Sequence, residues 1–259
     1  TPLDFNDLKN IQSIESFFED TDIKINSKAV NPGDIFVCVS GVNFDRHDFI
    51  DEAVTNGANV IVVSKDIKRD DVIVVKVDDT DDEMPKIARK LYDYNKDDFK
   101  LIGVTGTDGK TSTAIILSTL IGNDICGYIG TNGYSCSKFD KETHNTTPDA
   151  DLMYKYFKEL KEAGCKYIVM EVSSEASFRK RLRNLYFDAL ILTNVTRDHL
   201  NVHKTIENYI ECKKEIFHHL KEDGISILNK DDKLYDEFKK INKINYSYFL
   251  IILWGYCKL

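Results

Sequence analysis

Long apolar segments, paired cysteines and an excess of positive charge are all missing from this 259-residue sequence. It has no run of about eighteen apolar residues and no basic-then-apolar N-terminus, so neither a membrane span nor a secretory signal is predicted. Its six cysteines lack C-x-x-C spacing, which argues against a zinc site or a disulfide framework. The net charge of −8 disfavours nonspecific binding to nucleic acid. We therefore expect a cytoplasmic protein that binds neither nucleic acid nor membranes.

The hydrophobic content of 42% suffices for one large or two ordinary domains. In the first hundred residues, strand-like runs at 35–39, 60–63 and 72–77 alternate with helix-like segments at 48–55 and 83–94. A polar, acidic passage at 95–98 follows. This pattern predicts a small N-terminal α/β domain over residues 1–98.

Residues 99–259 have a similar alternation on a larger scale. The strand-like segments are 101–105, 166–172, 189–193 and 225–228, and the helix-like segments are 111–121, 149–163 and 205–220. Such alternation predicts an α/β fold with a mainly parallel sheet and helices on both faces. Ligands bind such sheets at the carboxyl ends of the strands, where we expect Glu171, Ser173 and Asn194 to meet.

A glycine-rich segment joins the first strand and helix of this second part. Residues 101–113 read Leu-Ile-Gly-Val-Thr-Gly-Thr-Asp-Gly-Lys-Thr-Ser-Thr. Gly106 and Gly109 would let backbone N–H groups approach phosphate oxygens, Lys110 adds positive charge, and Thr111 can offer a hydroxyl to magnesium. The strict G-x-x-x-x-G-K-[ST] pattern fails because Val104 replaces its first glycine. The strand–loop–helix context favours a phosphate-binding loop over a glycine-rich turn with a solvated lysine.

Five separated blocks together resemble the Mur ligases, most closely the MurE type, between about residues 25 and 232. The loop at 106–112 resembles G-T-N-G-K-T-T, with Asp108 in place of asparagine. The other blocks are Asn-Thr-Thr-Pro at 145–148, Met-Glu-Val-Ser-Ser at 170–174, Thr-Asn-Val-Thr-Arg-Asp-His-Leu at 193–200 and Asn-Lys-Asp-Asp at 229–232. Their order along the chain makes the resemblance more specific than the loop alone.

The resemblance implies an ATP-dependent ligase of peptidoglycan precursor synthesis. ATP would phosphorylate the D-glutamyl carboxylate of UDP-MurNAc-L-Ala-D-Glu, and the amine of diaminopimelate or lysine would attack the acyl phosphate to form an amide. The implied cofactors are ATP and Mg²⁺, and we expect the protein to be a monomer. Phosphoryl transfer depends on charge neutralisation and positioning, which a lysine, a hydroxyl and magnesium can provide.

The resemblance also assigns roles to individual residues. ATP binding falls to Gly106, Thr107, Asp108, Gly109, Lys110, Thr111, Ser112 and Asn194; magnesium binding falls to Thr111, Glu171, His199 and Lys213. The implied catalytic residues are Lys110, His199 and Lys213, and Lys213 matches a lysine that carbon dioxide carbamylates. Taken alone, Glu171 could form a salt bridge, His199 could be structural, and Lys213 could be a solvated helix residue.

A further group of residues matches the family positions that bind the UDP-sugar substrate. Ser27 and Lys28 lie in a uridine-binding block, and the muramyl-dipeptide positions are Thr146, Thr147, Ser174 and Arg181. Arg181 also fits a solvated basic run at 179–183. In and near these substrate-binding blocks, four residues depart from the family pattern, namely Asn26, Lys28, Glu175 and Arg179. An added carboxylate at Glu175 would weaken anion binding unless Arg179 compensates it.

Other interpretations concern the end of the chain and the reaction. The apolar run at 248–254 predicts either a final strand or a chain that was cut short or continued out of frame, and the resemblance implies that the family's C-terminal domain is lacking. Alternative functions are a noncatalytic nucleotide-binding remnant and a ligase similar to folylpolyglutamate synthetase. A GTPase is a weak alternative, because its N-K-x-D match at 229–232 lies in a ligase block.

Overall fold

The computed structural model describes residues 21–39, 45–196, 198, 200–241 and 246–249, without the side chains of Leu200 and Asn201. The chain divides into two compact units. The first comprises Thr1–Tyr94 with Ala150–Lys155, and the second comprises Asn95–Asp149 with Tyr156–Leu259. Each is described separately.

The first unit contains a four-stranded parallel sheet in the order β1-β2-β3-β4. Its strands are β1 (Ile23–Lys24), β2 (Ile35–Val37), β3 (Val60–Val63) and β4 (Ile73–Lys76), and its helices are α1 (Ile50–Thr55) and α2 (Thr80–Leu91). Phe36, Ile61 and Val63 pack with Ile50 and Ala53 of α1 in a buried apolar cluster. The opposite face of these strands is also buried, at Ile35, Val37, Val60 and Val62, which explains why β2 and β3 read as continuous apolar runs in the sequence.

Helix α2 begins three residues before the predicted start at 83. The Asp79 side chain accepts hydrogen bonds from the backbone N–H groups of Asp81 and Asp82, at 2.8 and 3.2 Å. This N-cap satisfies donors that the first helical turn leaves unpaired. The acidic segment at 79–82, which precedes the predicted start, therefore caps and begins the helix.

The described strands of the second unit form an eight-stranded sheet in the order β12-β11-β10-β5-β9-β6-β7-β8. They are β5 (Lys100–Thr105), β6 (Cys126–Gly130), β7 (Gly133–Cys136), β8 (Phe139–Lys141), β9 (Tyr167–Glu171), β10 (Phe187–Leu192), β11 (Leu220–Asn229) and β12 (Tyr246–Phe249). All neighbours are parallel except β6–β7 and β7–β8. The predicted α/β class with a mainly parallel sheet is confirmed.

Helices connect these strands and cover both faces of the sheet. They are α3 (Lys110–Ile121), α4 (Ala150–Glu162), α5 (Ser174–Phe178), α6 (Leu200–His203), α7 (Ile206–Phe217) and α8 (Tyr235–Ile241). On one face, Ala114 of α3 packs in a cluster with Val104, Tyr128 and Val169. On the other, a Cβ on Gly127 would lie only 2.7 Å from Leu160 of α4. None of the helices in the described ranges is long and apolar enough to cross a membrane.

Three differences from the sequence-based prediction in the second unit concern strands. The antiparallel strands β6–β8 were not predicted, because their short apolar run is interrupted by Gly-Thr-Asn-Gly at 130–133. Leu220, predicted as the end of a helix, is instead the first residue of β11, and α7 ends at Phe217. Of the apolar run at 248–254, Tyr248 and Phe249 belong to β12, and the remainder lies outside the described residues.

The strand register places the carboxyl ends of three central strands together. Leu192 of β10 pairs with Thr105 of β5, and Val104 of β5 pairs with Glu171 of β9. Segments that leave these ends therefore start within two strand spacings of one another.

Candidate functional site

The loop between β5 and α3 has a shape that requires glycine. Gly106 has a φ of +152°, and a Cβ there would lie 1.8 Å from the hydroxyl oxygen of Thr193. Gly109 is the N-cap of α3 and adopts the left-handed region with a φ of +79°. These two positions bring the backbone close to the end of β10 and turn it into the helix.

Asn194, which follows β10, holds this loop in place. Its side-chain amide accepts a hydrogen bond from the backbone N–H of Asp108 and donates one to the Asp108 carbonyl, both at 3.0 Å. Its backbone carbonyl accepts a third bond from the N–H of Thr107 at 2.9 Å. Thr193 adds a hydroxyl bond to the Asp108 carbonyl at 2.7 Å. The structure therefore gives Asn194 a direct role in shaping the loop.

The side chain of Lys110 folds back over the loop. Its ammonium donates to the carbonyl oxygens of Gly106 and Thr107, at 3.0 and 2.8 Å. Burial lowers the pKa of Lys110, while the negative charges of Glu171, Asp108 and Asp198 act in the opposite direction. A cation thus lies beside the N-terminus of a twelve-residue helix, an arrangement suited to an anionic ligand.

Glu171 ends β9 with a buried carboxylate that accepts several hydrogen bonds. Oε2 accepts from the Thr111 hydroxyl at 2.8 Å, and Oε1 accepts from the Tyr128 hydroxyl at 2.6 Å and the Thr131 N–H at 2.9 Å. Burial, and then the bond to Glu171, raises the pKa of Tyr128, which keeps this hydroxyl a donor. Three chain segments therefore converge on one carboxylate beside the loop.

The donor set around Glu171 fits a magnesium ion. Thr111 and Glu171 offer oxygen ligands, the type that Mg²⁺ prefers, and they already lie within hydrogen-bond distance of each other. The described residues contain no group of three or more His, Cys, Asp or Glu side chains that could hold a metal ion by themselves. Magnesium commonly needs only one or two protein ligands, because phosphates and waters complete its shell.

Lys213 is a buried residue of α7, with only 1% of its surface exposed. Its ammonium nitrogen lies 4.8 Å from the ring centroid of Tyr209. Burial, followed by the charge of Lys110, lowers the pKa of Lys213 to about 7, and Asp198 opposes this shift. Lys214, by contrast, forms ion pairs with Glu211 and Glu237. The interpretation of Lys213 as a solvated helix lysine is therefore wrong.

A second group of contacts lies next to Glu171, around Thr147. The Thr147 hydroxyl donates to the backbone carbonyl of Glu171 and accepts from the Ser173 N–H, both at 2.9 Å. The Arg181 guanidinium donates to the Thr147 carbonyl at 3.0 Å and pairs with Asp149 at 2.5 Å. The Arg181 side chain is 11% exposed, so it is not simply one charge in a solvated basic run.

The neighbouring predicted residues are also placed. Thr146 and Thr131 have hydroxyl oxygens 3.0 Å apart, and Ser174 lies 3.0 Å from Nε2 of the buried His203. Glu175 and Arg179 form an ion pair at 2.6 Å. The Arg179 guanidinium is therefore placed beside the carboxylate whose charge it was expected to compensate.

The predicted uridine-binding residues lie in the first unit. Ser27 is buried, and its hydroxyl donates to Glu52 at 2.5 Å. The Ser27 carbonyl accepts a bond from the Asn56 side chain at 2.9 Å. Lys28 is exposed, and its backbone N–H bonds to the Asn26 side chain that caps this short helical turn. These contacts fix the backbone around both residues.

Several site residues were missed from the sequence, and one predicted residue cannot be placed. Tyr128 and Thr131 bind Glu171, and the Tyr209 hydroxyl lies 2.9 Å from that of Thr107. The short run Gly-Tyr-Ile-Gly-Thr at 127–131, in which two glycines flank an aromatic and a β-branched residue, is a signal that could have indicated a strand near the site. His199 lies outside the described residues.

Comparison with known proteins gives consistent relatives for both units. A protein from Fusobacterium nucleatum, named UDP-N-acetylmuramoyl-L-alanyl-D-glutamate–2,6-diaminopimelate ligase, is 38% identical over 221 residues, which cover 83% of this chain and 46% of the relative. A relative of the same name from Clostridium perfringens is 36% identical over 213 residues, covering 81% and 43%. The chain thus spans about half the length of the curated relatives it matches.

Solved structures share the fold. A structure of a ligase with that same name has a TM-score of 0.72 at 22% identity, covering 90% of this chain and 49% of the other. The MurF ligase from Thermotoga maritima, in complex with ADP, has a TM-score of 0.60 at 27% identity, covering 90% and 50%.

Family models match the chain on either side of residues 97–103. The model described as "Mur ligase family, catalytic domain" matches residues 21–96, and the "Mur ligase middle domain" matches residues 104–251. The second match alone includes the glycine-rich loop, Glu171, Asn194 and Lys213. On these matches, the chain belongs to the Mur ligase family.

Proposed function

We propose that this chain carries the nucleotide and sugar-nucleotide sites of an ATP-dependent amide ligase of the MurE type. The ligase would join an amino acid to UDP-MurNAc-L-Ala-D-Glu through an acyl phosphate in peptidoglycan precursor synthesis. The names of the relatives specify 2,6-diaminopimelate, which favours that amino acid over lysine. The observation that carries the proposal is the contact of Thr111 with Glu171 beside the glycine-rich loop.

The loop would bind the ATP phosphates. Gly106, Thr107, Asp108, Gly109, Lys110, Thr111 and Ser112 form or follow the loop, and Asn194 holds its shape. The backbone N–H groups at the start of α3 would donate to phosphate oxygens. Lys110 would exchange its bonds to loop carbonyls for bonds to phosphate, which compensates negative charge as the phosphoryl group is transferred.

Thr111 and Glu171 would hold Mg²⁺, with His199 and a carbamylated Lys213 as the further proposed ligands. When bound, the ion supplies charge neutralisation at the phosphate oxygens. Tyr128 and Thr131 would keep Glu171 oriented through its other lone pairs. The Glu171 carboxylate would then need no change of orientation to bind the ion.

Burial suits Lys213 to carbamylation. A neutral amine adds to carbon dioxide and releases a proton, whereas an ammonium ion has no lone pair with which to react. The buried setting of Lys213 disfavours the ammonium form. The resulting carboxylate would reverse the sign of charge at this position, so that it attracts a cation.

The substrate positions remain as the sequence predicted them. In the second unit, Thr146, Thr147, Ser174 and Arg181 would contact the muramyl-dipeptide. In the 1–98 domain, Ser27 and Lys28 would contact the uridine end, while residues 99–259 would form the ATP-binding domain. We propose that the chain acts as a cytoplasmic monomer.

Calorimetric titration tests the proposal directly. The chain is titrated with UDP-MurNAc-L-Ala-D-Glu, and separately with a nonhydrolysable ATP analogue and Mg²⁺; saturable binding of both is expected. Lys110→Met should weaken binding of the nucleotide. Lys214→Met is the control, because it removes a lysine of α7 that lies outside the loop, and it should leave nucleotide binding unchanged. Absence of nucleotide binding by a chain with a native circular dichroism spectrum would contradict the proposal.

A turnover assay addresses the complete reaction. Phosphate release that requires both the UDP-sugar dipeptide and diaminopimelate would support ligase activity in this chain. Binding of both ligands without amide formation would limit the proposal to the two binding sites.

A further inference from the structure

A buried contact path runs from the glycine-rich loop to the start of α5. Its four members are Thr107 of the loop, Tyr209 of α7, His203 of α6 and Ser174 of α5. All of them belong to the second unit, and none is more than 8% exposed. Polar groups buried to this degree are held by the partners that they share, so the path has a defined geometry.

Thr107 is held at its backbone and at its side chain. Its N–H donates to the Asn194 carbonyl at 2.9 Å, and its carbonyl accepts from the Lys110 ammonium at 2.8 Å. Its hydroxyl donates to the Thr196 carbonyl at 3.2 Å and accepts from the Thr196 N–H at 2.9 Å. A hydroxyl has one proton and two acceptor sites, so the second acceptor site takes the Tyr209 hydroxyl, whose oxygen lies 2.9 Å away.

Tyr209 is therefore the donor in its bond to Thr107. Burial raises the pKa of Tyr209 to about 12, although the bond to Thr107 acts in the opposite direction, so the hydroxyl keeps its proton at neutral pH. In the proposed function, Lys110 leaves the Thr107 carbonyl to bind phosphate. The Tyr209 bond does not involve that carbonyl, so it would keep Thr107 in place after Lys110 has moved.

His203 makes the contact with Ser174 at the other end of the path. Its Nε2 lies 3.0 Å from the Ser174 hydroxyl oxygen. The imidazole packs edge-to-face against two rings, with centroids 5.5 Å from Phe178 and 5.3 Å from Tyr209. The His203 carbonyl accepts a bond from the Asn208 side chain at 3.0 Å, which ties it to the first turn of α7. Because closely packed rings have little room to move independently, a shift of Tyr209 would displace the imidazole that contacts Ser174.

We propose that Tyr209 and His203 are positioning residues that couple the glycine-rich loop to Ser174, so that nucleotide and UDP-sugar dipeptide raise each other's affinity. The inference rests on the proposed function, which assigns phosphate binding to the loop and the muramyl-dipeptide to Ser174. Either ligand would order the same four side chains, so the second ligand would bind a site that is already ordered. Thermodynamic linkage makes the effect equal in both directions.

Calorimetric titration of the full chain measures this coupling. UDP-MurNAc-L-Ala-D-Glu is titrated with and without a saturating nonhydrolysable ATP analogue and Mg²⁺. We expect the analogue to raise the affinity for the UDP-sugar dipeptide about fivefold or more, and the reverse titration to give the same coupling factor.

Two variants remove the bonds of the path but keep an aromatic ring at each position. Tyr209→Phe loses the bond to Thr107, so it should weaken binding of the ATP analogue alone by about threefold or more and bring the coupling factor close to one. His203→Phe loses the contact with Ser174, so it should instead weaken binding of the UDP-sugar dipeptide alone, again with a coupling factor close to one. Because both residues lie on one path, the double variant should lose no more coupling than either single variant.

Tyr134→Phe is the matched control. It also removes the hydroxyl of a buried tyrosine, but that hydroxyl bonds to Glu159 and lies outside the contact path. The control should keep the wild-type coupling factor. Urea midpoints of all variants separate positioning from stability, because a merely structural residue would lower the midpoint without changing the coupling factor.

The outcomes distinguish this inference from the proposed function. Binding of both ligands by the wild-type chain without mutual effect would overturn the inference alone. A wild-type coupling factor in both Tyr209→Phe and His203→Phe would overturn it as well, because the coupling would then follow another route. Failure of the folded wild-type chain to bind either ligand would contradict the proposed function and the inference with it. If His203→Phe does not fold, the wild-type chain and Tyr209→Phe still decide the question.

Discussion

Tyr128 donates a 2.6 Å hydrogen bond to the carboxylate of Glu171 across the neighbouring strands β6 and β9. The Thr131 N–H binds the same carboxylate oxygen, so the hairpin that follows β5 and α3 helps to orient a residue of the candidate site. The packing of β6 against β9 therefore sets the orientation of the Glu171 carboxylate beside the glycine-rich loop.

Tyr128→Phe removes this donor while keeping the buried ring. We expect the free energy of unfolding to fall by about 1–2 kcal/mol, because a charged acceptor loses one of its partners. Denaturant titration measures the loss. Tyr134→Phe is the control: Tyr134 lies on the same hairpin, but its acceptor Glu159 is partly exposed, so a smaller loss is expected. Equal losses for both variants would show that the Glu171 bond has no special weight.

Thr111→Val and Thr111→Ser separate the hydroxyl from the shape of the side chain. Valine is nearly isosteric but cannot bond to Glu171 or bind a metal ion, so affinity for a magnesium–nucleotide complex should fall about tenfold or more. Serine keeps the hydroxyl and should stay within about threefold of wild type. Calorimetry with the ATP analogue measures both affinities. Wild-type affinity in the valine variant would rule out a metal role for the hydroxyl.

Gly106→Ala should destabilise the protein more than Gly164→Ala. Both glycines have positive φ, so each alanine variant carries backbone strain, expected at about 1 kcal/mol for Gly164. At Gly106 the new Cβ also meets Thr193 at 1.8 Å, whereas at Gly164 no atom lies within 4 Å. We expect a further loss of about 2 kcal/mol or more at Gly106. Similar midpoints in urea for the two variants would contradict this expectation.

Asp22→Asn should reduce stability in a way that depends on pH. Burial tends to raise the Asp22 pKa, but hydrogen bonds from Lys155 and Lys24, at 2.5 and 3.0 Å, outweigh it and lower the pKa overall. Because the folded-state pKa lies below the unfolded value, the ionised carboxylate stabilises the protein above about pH 4. That contribution is lost as the pH falls through the folded-state pKa.

Urea unfolding between about pH 7 and pH 3 tests this sign. The difference between wild type and Asp22→Asn should be about 1 kcal/mol at neutral pH, since the groups are partly exposed, and should shrink in acid. Asp66→Asn provides the control, because Asp66 is 89% exposed in its pair with Lys76. A constant difference across the range would indicate that the Asp22 effect is not electrostatic.

The sequence was sufficient to predict structural features that depend on a repeating local pattern. The four-residue apolar run at 60–63 became β3 with unchanged bounds, and the alternation after residue 99 predicted the parallel sheet. The loop and the position of Glu171 at a strand end followed from the same pattern. Each depends on local composition, which burial on both faces of a strand imposes directly.

Features that arise only from packing were not predicted. Lys213 and Lys214 are adjacent lysines on one helix, yet one is buried and the other forms ion pairs at the surface. Nothing in their local spacing distinguishes them, since the difference depends on which face of α7 meets the rest of the unit. The bonds of Tyr128 and Thr131 to Glu171 likewise join segments about 40 residues apart, beyond the reach of sequence periodicity.

The bonds between Asn194 and Asp108 span 86 residues of chain. The conformation of the glycine-rich loop therefore depends on a long-range contact that can form only after β10 has joined β5. A peptide containing only the loop and its helix would include the glycines but not Asn194, whose bonds to Asp108 shape the loop. Under the proposed function, phosphate binding would be acquired late during folding, and partly folded chains that lack β10 should bind nucleotide poorly even where their local helix is intact.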